Sequence, residues 1–308
     1  MRLKRLNEMI LMTKIQDLRG SIVAITTPFK ENGEIDLQAF DALIEWHIAQ
    51  GTDGLVVCGT TGETPTLSEE EDAMMMERAV KKVNGRIPVI AGSGSNSTQD
   101  CIKYSQTAEK TGVDALLIVA PYYNKPTRKG LYLHFSSVAQ SVKIPIILYN
   151  VPGRTGCAIP FDLAIQLAND FKNIIAIKEA AGNLEVIVNL LASRPADFKV
   201  YSGDDFLSTA ANLLGADGCI SVVANVIPKQ FHELMAVSLA GDVEASRKIF
   251  FKYKKLMDLM FVESNPIPVK TALAAMGKIK ETFRSPLCSM EDKNKEALLA
   301  EMKNVGLV

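Results

Sequence analysis

Asn173-Ile174-Ile175-Ala176-Ile177-Lys178-Glu179 is an apolar run that ends in charge. An unbroken apolar run, as opposed to an apolar–polar alternation, marks a strand covered on both faces, and such strands belong to parallel sheets. Side chains two apart share a face, which puts Lys178 on the side of Ala176 and Ile174, at the strand's C-terminal end. Burial penalises a charged lysine. Three readings follow: a side chain snorkelling to solvent, a pair with Glu179, or an amine that attacks a carbonyl. Glu179 points to the opposite face, which places it out of reach as a partner. The residues around this stretch decide among the three.

Working outward, similar runs recur, each followed by a helical pattern. Strands are read at residues 22–27, 54–58, 87–91, 115–119, 145–149, 199–201 and 218–222, besides the one carrying Lys178. Asp36 caps a helix to Gln50 with Phe40, Leu43, Ile44 and His47 at helical spacing, and Gly51 ends it. Ser68 caps a helix over 69–83 whose charges run acidic to basic, the order the helix dipole prefers. Further helices are read at 98–111, 129–142, 160–170, 184–193, 205–214 and 227–239. Eight strand–helix units with short connections predict an α/β fold, a (β/α)8 TIM barrel over residues 19–241, with a doubly wound sheet as runner-up. Residues 242–308 read as a three-helix C-terminal extension (245–260, 269–278 and 290–303), with breaks at Pro266, Pro268 and Pro286. Residues 1–18 read as a leader outside the barrel, with Met12 a second candidate start. Its apolar part, 9–12, is too short for the core of a signal peptide.

Composition narrows the function. A hydrophobic fraction of 47% supplies a large core, and a net charge of −1 gives no electrostatic case for nucleic acid or an anionic membrane. Cys58, Cys101, Cys157, Cys219 and Cys288 are scattered without CxxC spacing, as expected of reduced thiols in a cytoplasmic protein. No apolar run is long enough to span a bilayer. No acidic or histidine cluster has metal-ligand spacing, and His47, His134 and His232 fall in helices.

In such barrels chemistry sits at the C-terminal ends of the strands. There the sequence places Gly59-Thr60-Thr61-Gly62-Glu63, Pro121-Tyr122-Tyr123-Asn124, Tyr149-Asn150, Arg154, Lys178 and Ser202-Gly203-Asp204-Asp205. Singly, each has a plain reading: a glycine turn, loop tyrosines, a solvated arginine. Together they form one coherent set. A lysine forms a Schiff base with a keto acid, and a tyrosine moves protons. A Thr-Thr turn holds one carboxylate, and an arginine grips another. The set suits carbon–carbon lyase chemistry without metal or added cofactor.

The same stretches, with Val151-Pro152-Gly153-Arg154-Thr155-Gly156, Ile177-Lys178-Glu179-Ala180 and Glu263-Ser264-Asn265-Pro266-Ile267-Pro268-Val269-Lys270, resemble the 4-hydroxy-tetrahydrodipicolinate synthase (dihydrodipicolinate synthase) family. That family lies within the pyruvate-dependent class I aldolase and N-acetylneuraminate lyase superfamily. The resemblance runs from about Gly20 to the C-terminus. It implies a carbon–oxygen lyase that condenses pyruvate with L-aspartate 4-semialdehyde on the diaminopimelate route to lysine. The cofactor expected is none beyond the covalent Schiff base. By matched position, Lys178 resembles the Schiff-base lysine, and Tyr149 the proton-transferring tyrosine linked through Thr60 to Tyr123. Tyr123 would reach a neighbouring subunit's site, implying a homo-oligomer, a dimer of dimers. Thr61 resembles the holder of the pyruvate carboxylate, and Arg154 that of the semialdehyde carboxylate; Gly203 and Ile220 match backbone positions lining the site. A lysine effector site is implied around Thr64, Pro65, Glu69, Asp72, Asn96, Asp100 and Tyr122, with Glu69 and Asp72 standing where some sensitive members have histidine. N-acetylneuraminate and 2-keto-3-deoxy sugar acid aldolases share the lysine, the tyrosine and the glycine turn, and Arg154 is the discriminator. A catalytically silent keto-acid or amino-acid binding barrel is the alternative from another class.

Overall fold

The computed structural model describes Ile15 and residues 17–308. Among these, eight parallel strands close into one barrel in chain order. They are β1 (Gly20–Ala24), β2 (Gly54–Val57), β3 (Val89–Gly92), β4 (Ala115–Val119), β5 (Ile146–Asn150), β6 (Ile174–Glu179), β7 (Lys199–Ser202) and β8 (Gly218–Ser221). The helices between and after them are α1 (Leu37–Ala49), α2 (Glu69–Val83), α3 (Thr98–Thr111), α4 (Arg128–Ser141), α5 (Phe161–Asp170), α6 (Leu184–Ser193), α7 (Asp205–Leu213) and α8 (Pro228–Leu239). The expected barrel is therefore observed, and the doubly wound alternative is not.

The strands are apolar throughout because each serves two cores. Ile22, Ala24, Val56, Ile90, Leu117, Ile147, Ala176, Tyr201 and Ile220 fill the barrel. Val23, Leu55, Val57, Leu116, Ile118, Leu148, Ile177 and Val200 pack outward under the helices. Period-two alternation produces both layers. β6 breaks it once. Ile146 pairs with Ile174 while Ile147 pairs with Ala176, so Ile175 is an extra residue against β5. Ile174 consequently packs in the outer layer and Ile175 in the inner one. The common face expected for Ile174 and Lys178 is corrected by this bulge, whereas Ala176 and Lys178 do share the interior.

The barrel closes where β1 meets β8, with Gly20 opposite Gly218. A Cβ on Gly218 would lie 2.2 Å from the Gly20 carbonyl oxygen, and its φ is +133, so only glycine fits this seam. Residues 1–14 and 16 of the expected leader lie outside the described residues. Its end is not outside the barrel: Ile15 and Leu18 are buried in the inner core, and the Tyr201 hydroxyl donates to the Leu18 carbonyl at 2.8 Å.

Capping explains the sharpest boundaries. Asp36 accepts from the Ala39 N–H, and Ser68 forms a reciprocal capping box with Glu71. The C-terminal extension is α9 (Val243–Leu259), α10 (Ile267–Ala275) and α11 (Asp292–Asn304). α9 packs on α7 and α8, and α11 on α9 and α10. Pro268 is not a break but sits in the first turn of α10, where a missing N–H costs no hydrogen bond. Short turns at Thr60–Gly62, Thr64–Thr66, Pro152–Thr155 and Val223–Asn225 carry too few residues for a periodic signal.

Candidate active site

Lys178 lies next to the end of β6, pointing into the barrel at 6% exposure. Tyr149 is its neighbour in register on β5, and the Lys178 Nζ stands 4.4 Å from the centre of the tyrosine ring. Ala176, one step below, is small and wholly buried. Gly203 closes the other side. A Cβ there would come within 2.9 Å of the lysine Cε and 2.7 Å of the Ala180 Cβ, so a glycine is what lets the lysine stand upright. The Gly203 N–H donates to the Glu179 carbonyl at 2.7 Å, stitching β7 to β6 at that point.

Glu179 faces away, as the alternation required. It is 2% exposed and accepts from the Asn150 Nδ2 at 2.8 Å and the Ala181 N–H at 2.7 Å. Burial is the main cause that raises its pKa, with the Asn150 and backbone bonds opposing. Asn150 Oδ1 in turn accepts from the Ile159 N–H at 2.8 Å. Among the described residues no carboxylate forms an ion pair with Lys178.

A cavity of about 530 Å³ opens above the lysine. Thr60, Thr61, Tyr149, Arg154, Lys178 and Gly203 all line it, together with Val222, Phe206, Met257, Phe261 and Asn265. Thr61 is 2% exposed on the turn after β2. Arg154 rides the one-turn helix after β5 and donates from Nη2 to the Asn265 carbonyl at 3.2 Å. Ile220 lies a layer deeper, wholly buried in the inner core, and Val222 is the β8-side residue at the wall. Tyr123 is not in the wall of this cavity. It is 89% exposed at φ +73, anchored by its N–H to the Thr155 carbonyl.

A second cavity, about 480 Å³, adjoins the first and shares Thr60, Tyr149 and Arg154 with it. Thr64, Pro65, Glu69, Asp72 and Tyr122 line it; Asn96 and Asp100, expected beside them, do not. The Asn96 carbonyl instead accepts from Asn124 Nδ2, and Asp100 stands in the first turn of α3. Burial first, then repulsion from Glu71 and Glu69, pushes Asp72 up to about 7 against an opposing bond from Cys58.

Sequence reasoning missed what holds the Thr60–Thr61 turn. Asn265 Nδ2 donates to Thr61 Oγ1 at 3.0 Å. Two residues after Thr61, Glu63 forms a buried ion pair with Lys270 of α10, and Arg284 grips Glu71 with both forks at 2.6 Å. The available signal was Lys270, a charge inside the apolar run of α10. No histidine lines either cavity: His47 hydrogen-bonds Thr52, His134 Thr98, and His232 Asp53. Among the described residues no group of three or more acidic, histidine or cysteine side chains is arranged to hold a metal.

The profile of the dihydrodipicolinate synthetase family matches residues 17–305. A 4-hydroxy-tetrahydrodipicolinate synthase of Thermodesulfovibrio yellowstonii is 51% identical, over 94% of this chain and 99% of its own. One of Ralstonia nicotianae is 47% identical, over 96% of this chain and 100% of its own. The crystal structure of a dihydrodipicolinate synthase from Acinetobacter baumannii complexed with pyruvate superposes with a TM-score of 0.93 at 44% identity, covering 94% of this chain and 100% of that one. The chain belongs to the dihydrodipicolinate synthetase family.

Proposed function

We propose that this chain is a lyase that condenses pyruvate with L-aspartate 4-semialdehyde through a Schiff base on Lys178, giving 4-hydroxy-tetrahydrodipicolinate for lysine biosynthesis. The observation that carries the reading is a buried lysine without a carboxylate partner, beside a tyrosine, under a cavity edged by a threonine turn and an arginine. The Lys178 amine attacks the keto carbon of pyruvate, and the carbinolamine loses water to give an imine. Loss of a methyl proton gives an enamine, whose carbon attacks the aldehyde; the aldehyde oxygen takes up a proton. The semialdehyde's amine then displaces Lys178 from the imine carbon and closes the ring, restoring the free enzyme. Tyr149 is the proton carrier closest to the lysine in this scheme, and Thr60, lining the same cavity, is the proposed link from it to the Tyr123 of a second copy of the chain. Thr61 holds the keto acid's carboxylate and Arg154 the semialdehyde's. No external cofactor enters any step.

A tyrosine left 89% exposed on a backbone of positive φ fits a side chain completed by a second copy; the assembly proposed, from the family resemblance, is a homotetramer, a dimer of dimers. Among the described residues no helix is long and apolar enough to cross a membrane, in keeping with a proposed cytoplasmic location. The second cavity, with Glu69, Asp72 and Tyr122 in its wall, is the proposed site of lysine feedback.

Borohydride added with pyruvate is expected to trap one adduct, mapped by mass to Lys178; no adduct, or one elsewhere, overturns the mechanism. Arg154→Ala is expected to lower turnover with the semialdehyde about 100-fold while trapping persists, the loss of one charge-assisted contact. Pyruvate release from N-acetylneuraminate or a 2-keto-3-deoxy acid at a rival rate would assign the sugar-acid aldolase reading instead.

A further inference from the structure

We propose that Asn265, in the C-terminal extension, is a positioning residue that turns the Thr61 hydroxyl toward the keto acid. The proposal rests on the reading that Thr61 holds the keto acid's carboxylate. An amide nitrogen only donates, so in its bond to Asn265 Nδ2 the Thr61 oxygen is the acceptor. The single hydroxyl proton of Thr61 is then free to serve another acceptor. Thr61 is 2% exposed, and the space it borders is the cavity that holds Lys178 and Arg154. An anion seated there accepts a hydrogen bond from that hydroxyl. Had the neighbour been an acceptor, the hydroxyl would turn back to it and present a lone pair to the anion.

Asn265 reaches the second substrate's side as well. Its backbone carbonyl accepts from Arg154 Nη2 at 3.2 Å, and its Oδ1 is buried without a partner. Its placement is reinforced from both ends of the contact. Glu63 lies just beyond Thr61 and Lys270 just beyond Asn265, and these two form the wholly buried ion pair. The extension is thereby fastened at two points to the turn that carries Thr60 and Thr61. Side chain and backbone of Asn265 make separable contributions: the amide orients Thr61, and the carbonyl anchors Arg154.

The test is Asn265→Asp, which keeps the shape but replaces the donor by an acceptor. Pyruvate half-saturation in the borohydride trap at pH 8 is expected to rise roughly 10- to 100-fold, the loss of one hydrogen bond to a charged group. The semialdehyde KM should move less than about two-fold, since the backbone carbonyl remains. Lowering the pH should restore pyruvate affinity in this variant as the new carboxyl gains a proton to donate, a recovery that general loosening of the fold does not give. Asn265→Leu, combined with Thr61→Val in a double-mutant cycle, covers failure of the charged variant to fold: the double change should be no worse than Thr61→Val alone. Trapping by Asn265→Asp within two-fold of wild type at pH 8, or additive losses in the cycle, overturns the proposal. Absence of trapping in the unmodified enzyme overturns the underlying function instead.

Discussion

Among the described residues two lysines are buried, Lys178 at 6% exposure and Lys270 at 0%. Lys270 meets a carboxylate, Glu63, itself wholly buried, and stands over the rings of Phe29 at 4.2 Å and Phe283 at 5.1 Å. Burial lowers its pKa and Glu63 opposes that, the balance expected of a buried pair. Lys178 meets a tyrosine ring and open cavity, while its sequence neighbour Glu179 is engaged by Asn150 and Ala181 on the far side of the strand. Depth of burial does not separate a structural lysine from a chemical one; the partner does. A carboxylate holds the ammonium in place and closes access to it. A ring beside a cavity leaves the nitrogen accessible to a carbonyl.

The contrast is breakable. Lys178→Met should cut turnover by about 10⁴-fold or more and abolish trapping, because no other residue in the cavity supplies an amine. Its melting temperature should stay close to the parent's, since no buried charge loses a partner. Lys270→Met should do the reverse. It strands Glu63 in the core and should cost about 3–5 kcal/mol, read as a fall in melting temperature, with the chemistry surviving in the fraction that stays folded. Adding Glu63→Leu should return much of that stability. Equal destabilisation by the two lysine changes would erase the distinction.

Asp72 extends the comparison to a half-buried carboxylate for which the described residues supply no ion-pair partner. Its folded-state value of about 7 lies above the ordinary 3.8. The folded protein therefore binds the extra proton, and the stabilisation present below about pH 4 drains away as pH rises through 7. Asp72→Asn should be more stable than the parent by roughly 1–3 kcal/mol at about pH 8, with the difference closing in acid. A pH-independent difference, measured by thermal melting across that range, would remove the titration from the explanation.

Much of the barrel was legible because its signals are local. The Ser68 cap and its box with Glu71 mark the start of α2, and Phe40, Leu43, Ile44 and His47 are the buried face of α1 as their spacing predicts. Lys178, Tyr149, Thr60, Thr61 and Arg154 stand out by falling at the C-terminal ends of strands β2, β5 and β6, and they do line one cavity. The bulge at Ile175 was not legible, since nothing in an all-apolar run tells which isoleucine is the extra one. Asn265 was seen only as part of a matched motif, because its role depends on a contact with Thr61 across 204 positions of sequence.

The sequence by itself determined the eight-unit plan, the amine at the end of β6 and the side of the strand it faces, because periodicity and strand ends are properties of neighbouring residues. Tertiary structure decided which buried lysine is free and which is paired, why Gly203 must be glycine, and that the C-terminal extension reaches back to the threonine turn. Those outcomes rest on distances between residues far apart in the chain, and only closure of the barrel fixes such distances.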